Sequence, residues 1–291
     1  MDFTKSFVRA KNPCADGFRW YLRHHRDGAD YQQVLDALVE DGRVDDACWL
    51  LEKLGATNAV LAVDRLECDA LVFAGSLDVH GSIEVGSVLR AGGSIRCGGP
   101  IRAGRAVSAG GDIRAAGGLD CGGAVRCEGS ILADWQVRVG GDLRAGDMKV
   151  AASVDCVGLL CTQGQASVQG DLLVGGDCTA RALSVRGRLQ VSGSLRVCQG
   201  LVSDGGVDCG AHLEAGLGIR SRGDVRAGGA IRAGEGLDAA GEIRAGRGYG
   251  VFAGLCVQRQ NWESSARVSA RRKPEDLLSG FWVAAEAGHA D

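Results

Sequence analysis

The chain has 291 residues, of which 47 are glycine and 3 proline, and 33 basic side chains face 36 acidic ones for a formal net charge of −3. Glycine without a third-position period or abundant proline excludes collagen, and glycines set among regularly spaced Leu, Ile and Val exclude a flexible linker. A charge this close to balance exerts no general pull on nucleic acid or anionic lipid.

The first residues, from Met1 to Val8, lack the apolar run of a secretory signal, and no long apolar stretch for a membrane span occurs. A cytoplasmic protein is the expectation. Its 12 cysteines then read as free thiols. No CxxC pair exists, and the spacings Cys121–Cys127 and Cys156–Cys161 fit no zinc site.

Residues 14–55 read as helical. Phe18, Trp20, Tyr21 and Leu22 suit a short helix. Asp30 with Gln33 forms a capping box, followed by Tyr31, Val34, Leu35 and Leu38 on one face. Asp41-Gly42 marks a turn, and Val44, Ala47, Cys48, Leu51 and Leu54 make a second stripe that Gly55 ends. The spacing predicts a helical N-terminal domain over 1–57, a β-solenoid over 58–258 and a C-terminal capping segment over 259–291. The helical domain reads as a cap on the open coil, a partner-binding module, or both.

From Asn58 the pattern turns strand-like (Val60, Leu61, Val63, Leu66, Cys68). A six-residue period then dominates. Large apolar residues recur from Leu71 through Leu77 and Ile83 to Leu143, and again from Leu189 to Ile243, Tyr249 and Leu255. Two positions after each stands a smaller residue, such as Ala91, Cys97, Ala103, Cys121 or Ala227, commonly followed by glycine. Residues i and i+2 of a strand share a face, so both apolar positions turn inward and the residue between them outward. Glycine then allows a tight bend. Three such units make a coil of about 18 residues, and short parallel strands stack from coil to coil. The fold class is therefore mainly β: a single-stranded parallel β-helix, triangular in section, with a small α-helical N-terminal domain and a C-terminal cap. Cys97, Cys121, Cys127, Cys156 and Cys209 fall in the small inward slot, where a thiol packs as a compact hydrophobe.

The register slips near Asp147–Met148 and again near Cys178–Leu183. Bulges, altered face lengths or a partner groove would each explain the slips. Beyond the repeat, Pro274-Glu275-Asp276 reads as the first turn of a short helix, and Trp262, Phe281 and Trp282 add aromatic mass.

Residues suited to chemistry are sparse. His24 and His25 are adjacent on a helix and diverge by about 100°, so they do not share a metal. GxGxxG-like strings occur, but none sits between a strand and a helix N-terminus, so no phosphate loop or cofactor is expected. His80 occupies a coil corner. The six-residue period resembles the left-handed hexapeptide-repeat acyltransferases, which use a corner histidine as general base. The short, Gly-punctuated coils are also similar to bactofilins, polymer-forming bacterial cytoskeletal proteins. Each resemblance covers the repeat region alone and carries over no functional residue.

Outward arginines align at 18-residue spacing: Arg96 with Arg114, and Arg90 with Arg126 and Arg144. Asp112, Asp120, Glu128 and Asp142 interleave with them, which describes a solvated mixed-charge wall rather than a nucleic-acid stripe. Trp135, alone in an aromatic-poor body, joins Arg96, Arg114, Arg126 and Arg144 as a candidate partner contact. The resulting expectation is a non-enzymatic solenoid without cofactor or metal. It would bind another protein as a monomer or small homo-oligomer, in the manner of toxin-immunity proteins. A self-assembling bactofilin-like scaffold is the alternative, and an acyltransferase-like enzyme a third reading.

Overall fold

A computed structural model describes residues 5–25 and 30–284. The chain comprises two compact units, Met1–Gly129 and Ser130–Asp291.

The first unit opens with four helices: α1 (Lys5–Ala10), α2 (Ala15–His24), α3 (Tyr31–Glu40) and α4 (Val44–Leu54). Asp30 forms the capping box of α3 with Gln33, and Gly55 ends α4 with φ +83°. The first expected stripe, Tyr31, Val34, Leu35 and Leu38, is buried; of the second, Ala47 and Leu51 are buried and Val44, Cys48 and Leu54 partly so, while Leu50, outside that stripe, joins the core with Trp20 and Tyr21 of α2. The Trp20 indole N–H donates to the Asp41 carboxylate. This core continues onto Val72 and Ala74, at the third strand of the solenoid.

Twelve short strands follow in the first unit, and successive strands take turns in three parallel sheets, numbered here as the chain meets them. The first sheet holds Val60–Val63, Ser76–Val79, Ile95–Cys97 and Ile113–Ala115; Leu66–Cys68 begins the second and Leu71–Phe73 the third. Register follows the hexads, with Leu77 beside Ile95 and Ile95 beside Ile113. The second unit repeats the plan from Ser130–Ala133, Val137–Val139 and Leu143–Ala145 onward. In both units the large slot is buried, as at Ile113, Leu143 and Leu189, and so is the small slot, as at Cys121, Cys156 and Cys209.

The two slips are shortened corners, not bulges. One residue, Gly146, separates Leu143–Ala145 from Asp147–Val150, and one, Arg181, separates Cys178–Ala180 from Ala182–Val185. Strands on either side keep their inward pairing, so Ile131 still lies beside Met148 and Ala166 beside Leu183. Cys178 takes a large slot and is buried there, between Leu160 and Leu195.

Two expectations need correction. The repeat does not run through Tyr249 and Leu255, which are 47% and 54% exposed; Val251 takes the inward place beside Ile231 instead. Gly248 and Gly254, at φ +81° and +78°, turn the chain out of the hexad path on either side of it. Pro274-Glu275-Asp276 starts no helix: a turn delivers the chain to strand Leu277–Ser279, which pairs with Val251–Phe252. The coil-corner glycines make the expected tight bends, and they do so without left-handed backbone: positive φ among described glycines is confined to Gly42, Gly55, Gly248, Gly254 and Gly280.

Close approach between coils is the reason for many of the corner glycines. The residue just before a large apolar slot is often Ser, Asp or His, and its side chain accepts the backbone N–H of the equivalent residue one coil on. Ser94 Oγ accepts from Asp112 N–H at 3.1 Å, Ser76 Oγ from Ser94 N–H at 3.1 Å, Asp224 Oδ1 from Glu242 N–H at 2.8 Å, and His212 Nδ1 from Ala230 N–H at 3.1 Å. Each acceptor occupies the volume of a side chain on the glycine before that donor. A Cβ on Gly111 would lie 2.4 Å from Ser94 Oγ, and one on Gly241 would lie 2.1 Å from Asp224 Oδ1.

Polar corner and glycine are thus one device. Gly111→Ala is expected to destabilise the protein by about 1–3 kcal/mol through overpacking, and Ser94→Ala by about 1 kcal/mol through the lost hydrogen bond. Because the serine oxygen is what the new methyl meets, the double variant should be more stable than the sum of the single losses implies. Urea or thermal unfolding of the four proteins checks this; strict additivity would contradict it.

Candidate functional site

Of the five residues singled out for partner contact, three lie in the first unit and two in the second. Arg96 and Arg114 are register neighbours in the first unit's first sheet, with Asp78 on the other side of Arg96. Arg126 belongs to that unit's third sheet, beside Ser108. In the second unit, Arg144 pairs in register with Cys161, whereas Trp135 stands 68% exposed at the corner between Ser130–Ala133 and Val137–Val139.

Outward arginines also have carboxylates close by. Arg114 reaches Asp112 at 3.0 Å, Arg226 reaches Asp224 at 2.6 Å and Arg244 reaches Glu242 at 2.7 Å, each two residues back across the inward position. Such exposed pairs add little stability, but they neutralise the wall locally.

The described histidines do not converge. His24 stacks on Trp20 with ring centroids 4.6 Å apart, while burial, then the neighbouring His24, holds the His25 pKa below its usual value. His80 Nδ1 lies 3.4 Å from Asp64 Oδ1, and both side chains are largely exposed. His212 is engaged in the corner ladder and meets Tyr249 edge-on. Among the described residues, no group of three or more His, Cys, Asp or Glu side chains is placed to hold a metal ion.

The buried thiols act as core atoms. Cys97 and Cys127 donate to the carbonyls of Gly81 and Gly111, each at 3.0 Å, just as Ser221 Oγ donates to Gly205 O at 2.8 Å. Burial pushes the Cys127 and Cys156 thiols up to about 11 and that of Cys178 up to about 12.

The arrangement best suited to binding lies where one sheet stops. The second unit's second sheet ends at Ile243–Arg244, while its first sheet continues to Arg267–Ala270 and Phe281–Ala284 and its third to Val251–Phe252 and Leu277–Ser279. Val225 N–H donates to Glu242 O at 2.8 Å, so alternation turns the N–H groups of Ile243 and Ala245 toward the side with no strand. No backbone partner for either is found among the described residues. Arg271 N–H bonds Gly241 O at 2.9 Å, and the chain from Arg272 to Asp276 then arches past the edge. Between edge and arch lies a cavity of about 580 Å³. Arg244 is paired to Glu242, leaving Arg247, Arg272 and Lys273 opposite Glu275 and Asp276 around it. The sequence signal for this notch is the break of the hexad after Ile243, which reads as a continued repeat when Tyr249 is counted.

A second cavity, of about 410 Å³, lies among the helices and is lined mainly by Val8, Trp20, Tyr21, Leu38, Trp49 and Leu50. Two carboxylates at it, Asp45 and Asp46, are taken up by Arg105 and Arg43.

Residues 1–57 match the family model of the YdhT N-terminal domain. The matched segment comprises the four helices and the link to the first strand. No curated protein and no solved structure matches the chain.

Thiol labelling should divide the cysteines by burial. Cys14, Cys198 and Cys256 are exposed and should react with a thiol reagent in the native protein, whereas Cys97, Cys121, Cys127, Cys156, Cys178 and Cys209 should react only on unfolding. The raised folded-state pKa values also set a pH trend. The unfolded chain ionises its thiols from about pH 9, before the folded chain can, so stability is full below pH 9 and falls as pH rises toward 11–12. Unfolding midpoints between pH 8 and 10.5 check the sign.

Proposed function

We propose that the chain is a non-enzymatic, protein-binding solenoid that neutralises a protein partner in the manner of toxin-immunity proteins. The partner contributes an extended segment with acidic side chains, which adds as the next strand on the open edge at Ile243–Arg244. The observation that carries this reading is the pairing of two unused, strand-directed N–H groups with a cavity ringed by Arg247, Arg272 and Lys273. Edge N–H groups supply sequence-independent affinity, and side chains beside the edge select the partner. Three cations against two anions favour carboxylates over ammonium groups there. A preformed wall of stacked coils lowers the ordering cost of binding.

An open-ended bactofilin-like filament is disfavoured by the C-terminal end itself. Val251, Ala253, Val268 and Ala270 are all buried, and strands Leu277–Ser279 and Phe281–Ala284 lie beyond them.

Fluorescence anisotropy with a labelled, end-blocked hexapeptide of alternating Val and Asp tests the reading on the full chain. Binding should weaken about tenfold or more in an Arg247→Glu/Arg272→Glu variant and in Ala245→Pro, which removes an edge N–H, and a Val/Lys peptide should not bind. Absence of binding at millimolar peptide, or equal binding of the Val/Lys peptide, would overturn it.

A further inference from the structure

The first coil differs from every coil stacked inside the repeat. Its inward residues, Leu61, Val63, Leu66, Cys68, Leu71 and Phe73, are each only partly buried, whereas their equivalents one coil on (Leu77, Val79, Ile83, Val85, Leu89 and Ala91) are buried. The helices pack on Val72 and Ala74 of this coil. They close one of its three edges: Gln32 Nε2 donates to Val72 O at 3.0 Å, and Ala74 N–H donates to Gln32 Oε1 at 2.8 Å, so a side-chain amide stands in for a missing strand.

The other two edges have no such substitute. His80 N–H bonds Val63 O at 3.0 Å and Gly86 N–H bonds Cys68 O at 3.0 Å, which shows that Leu61, Val63, Leu66 and Cys68 spend their backbone groups on the next coil. By alternation, the N–H and C=O of Ala62 and Glu67 face the open side. No backbone partner for them is found among the described residues. Val60 beside them is 62% exposed. An apolar floor bordered by two unpaired strand edges is a template for further pairing.

We infer that this end takes a second copy of the chain, joined about a two-fold axis through the corner at Asp64–Arg65. That axis lays strand Val60–Val63 of one copy antiparallel to strand Leu66–Cys68 of the other, and because Gln32 already fills each copy's third edge, the two ends meet at the corner and part toward that edge. Ala62 then exchanges backbone hydrogen bonds with Glu67, while inward Val63 meets Leu66 and inward Leu61 meets Cys68, apolar against apolar. Asp64, 3.4 Å from His80 in its own chain, meets Arg65 of the other copy, which is itself 3.7 Å from Glu67 and Glu84, so opposite charges complement across the joint within one exposed network. No like charges are forced together, as they would be if the axis passed through Glu67 and set it against itself. A contact of this kind is self-complementary and stops at two, because both copies use the same surface. It also leaves the edge at Ile243 untouched, so peptide binding there and pairing here succeed or fail separately.

Sedimentation velocity of the full chain from 1 to 200 μM tests the inference. A reversible monomer–dimer equilibrium with no larger species is expected. Arg65→Asp should raise the dimer dissociation constant about tenfold by reversing two cross-copy pairs; it also sets a carboxylate near Glu67 and Glu84 of its own chain, a cost that thermal unfolding of the monomer reads separately. Adding Asp64→Arg should restore dimerisation, and a charge placed on the floor by Leu66→Lys should abolish the dimer. Monomer at all concentrations, open-ended growth, or a dimer indifferent to Arg65→Asp and Leu66→Lys would each overturn it.

Discussion

Everything in the repeat depends on how closely one coil lies on the next. At strand spacing of about 4.8 Å, little more than one side-chain thickness separates successive corners. Where a serine, aspartate or histidine at the corner accepts the amide above it, the residue next to that amide is left with no room for a Cβ. Ser94 under Gly111 and Asp224 under Gly241 are two instances of the same exchange. The glycine content follows from this stacking, not from flexibility, and it explains why positive φ is absent from the regular corners among the described residues.

The same stacking makes the wall chemically quiet. Arg114, Arg144, Arg226 and Arg244 each find a carboxylate two residues back, buried thiols donate to corner carbonyls, and His212 is consumed by the ladder. Unused hydrogen-bonding capacity is concentrated where stacking stops. In the first unit that place is the coil from Val60 to Phe73, only one edge of which Gln32 closes. In the second it is Ile243–Ala245, which the arch from Arg272 to Asp276 passes without pairing. The proposed interaction surfaces are placed at these terminations for that reason.

Much of this order is legible in the residues themselves. The hexad from Leu77 to Leu143 fixes strand, face and coil length together, because a period of six with two inward slots admits few other arrangements. Asp30 and Gln33 announce α3 for an equally local reason. Even the slips at Gly146 and Arg181 are visible as lost residues, although their harmlessness emerges only from register that persists on both sides. What escapes local reading is anything decided between coils. Tyr249 and Leu255 keep the period of six yet lie outside, since Gly248 and Gly254 redirect the chain. Gln32 looks like one more polar helix residue, and its pairing to Val72 and Ala74 spans about forty positions of sequence. Trp135 and the arginines are conspicuous by type; Arg96 and Arg114 are register neighbours as their spacing implies, and Trp135 stands exposed at a corner.

Amide hydrogen exchange on the dilute, monomeric protein tests most directly whether bonding capacity is spent inside the repeat and free only where it ends. Amides that bridge coils, such as those of Leu77, Ile95, Leu172 and Val225, should be strongly protected. Those of Ala62, Glu67, Ile243 and Ala245 should exchange at rates close to an unstructured chain. Uniform protection across both sets would contradict the open edges, and fast exchange at Ile95 or Leu172 would contradict the stacked coil itself.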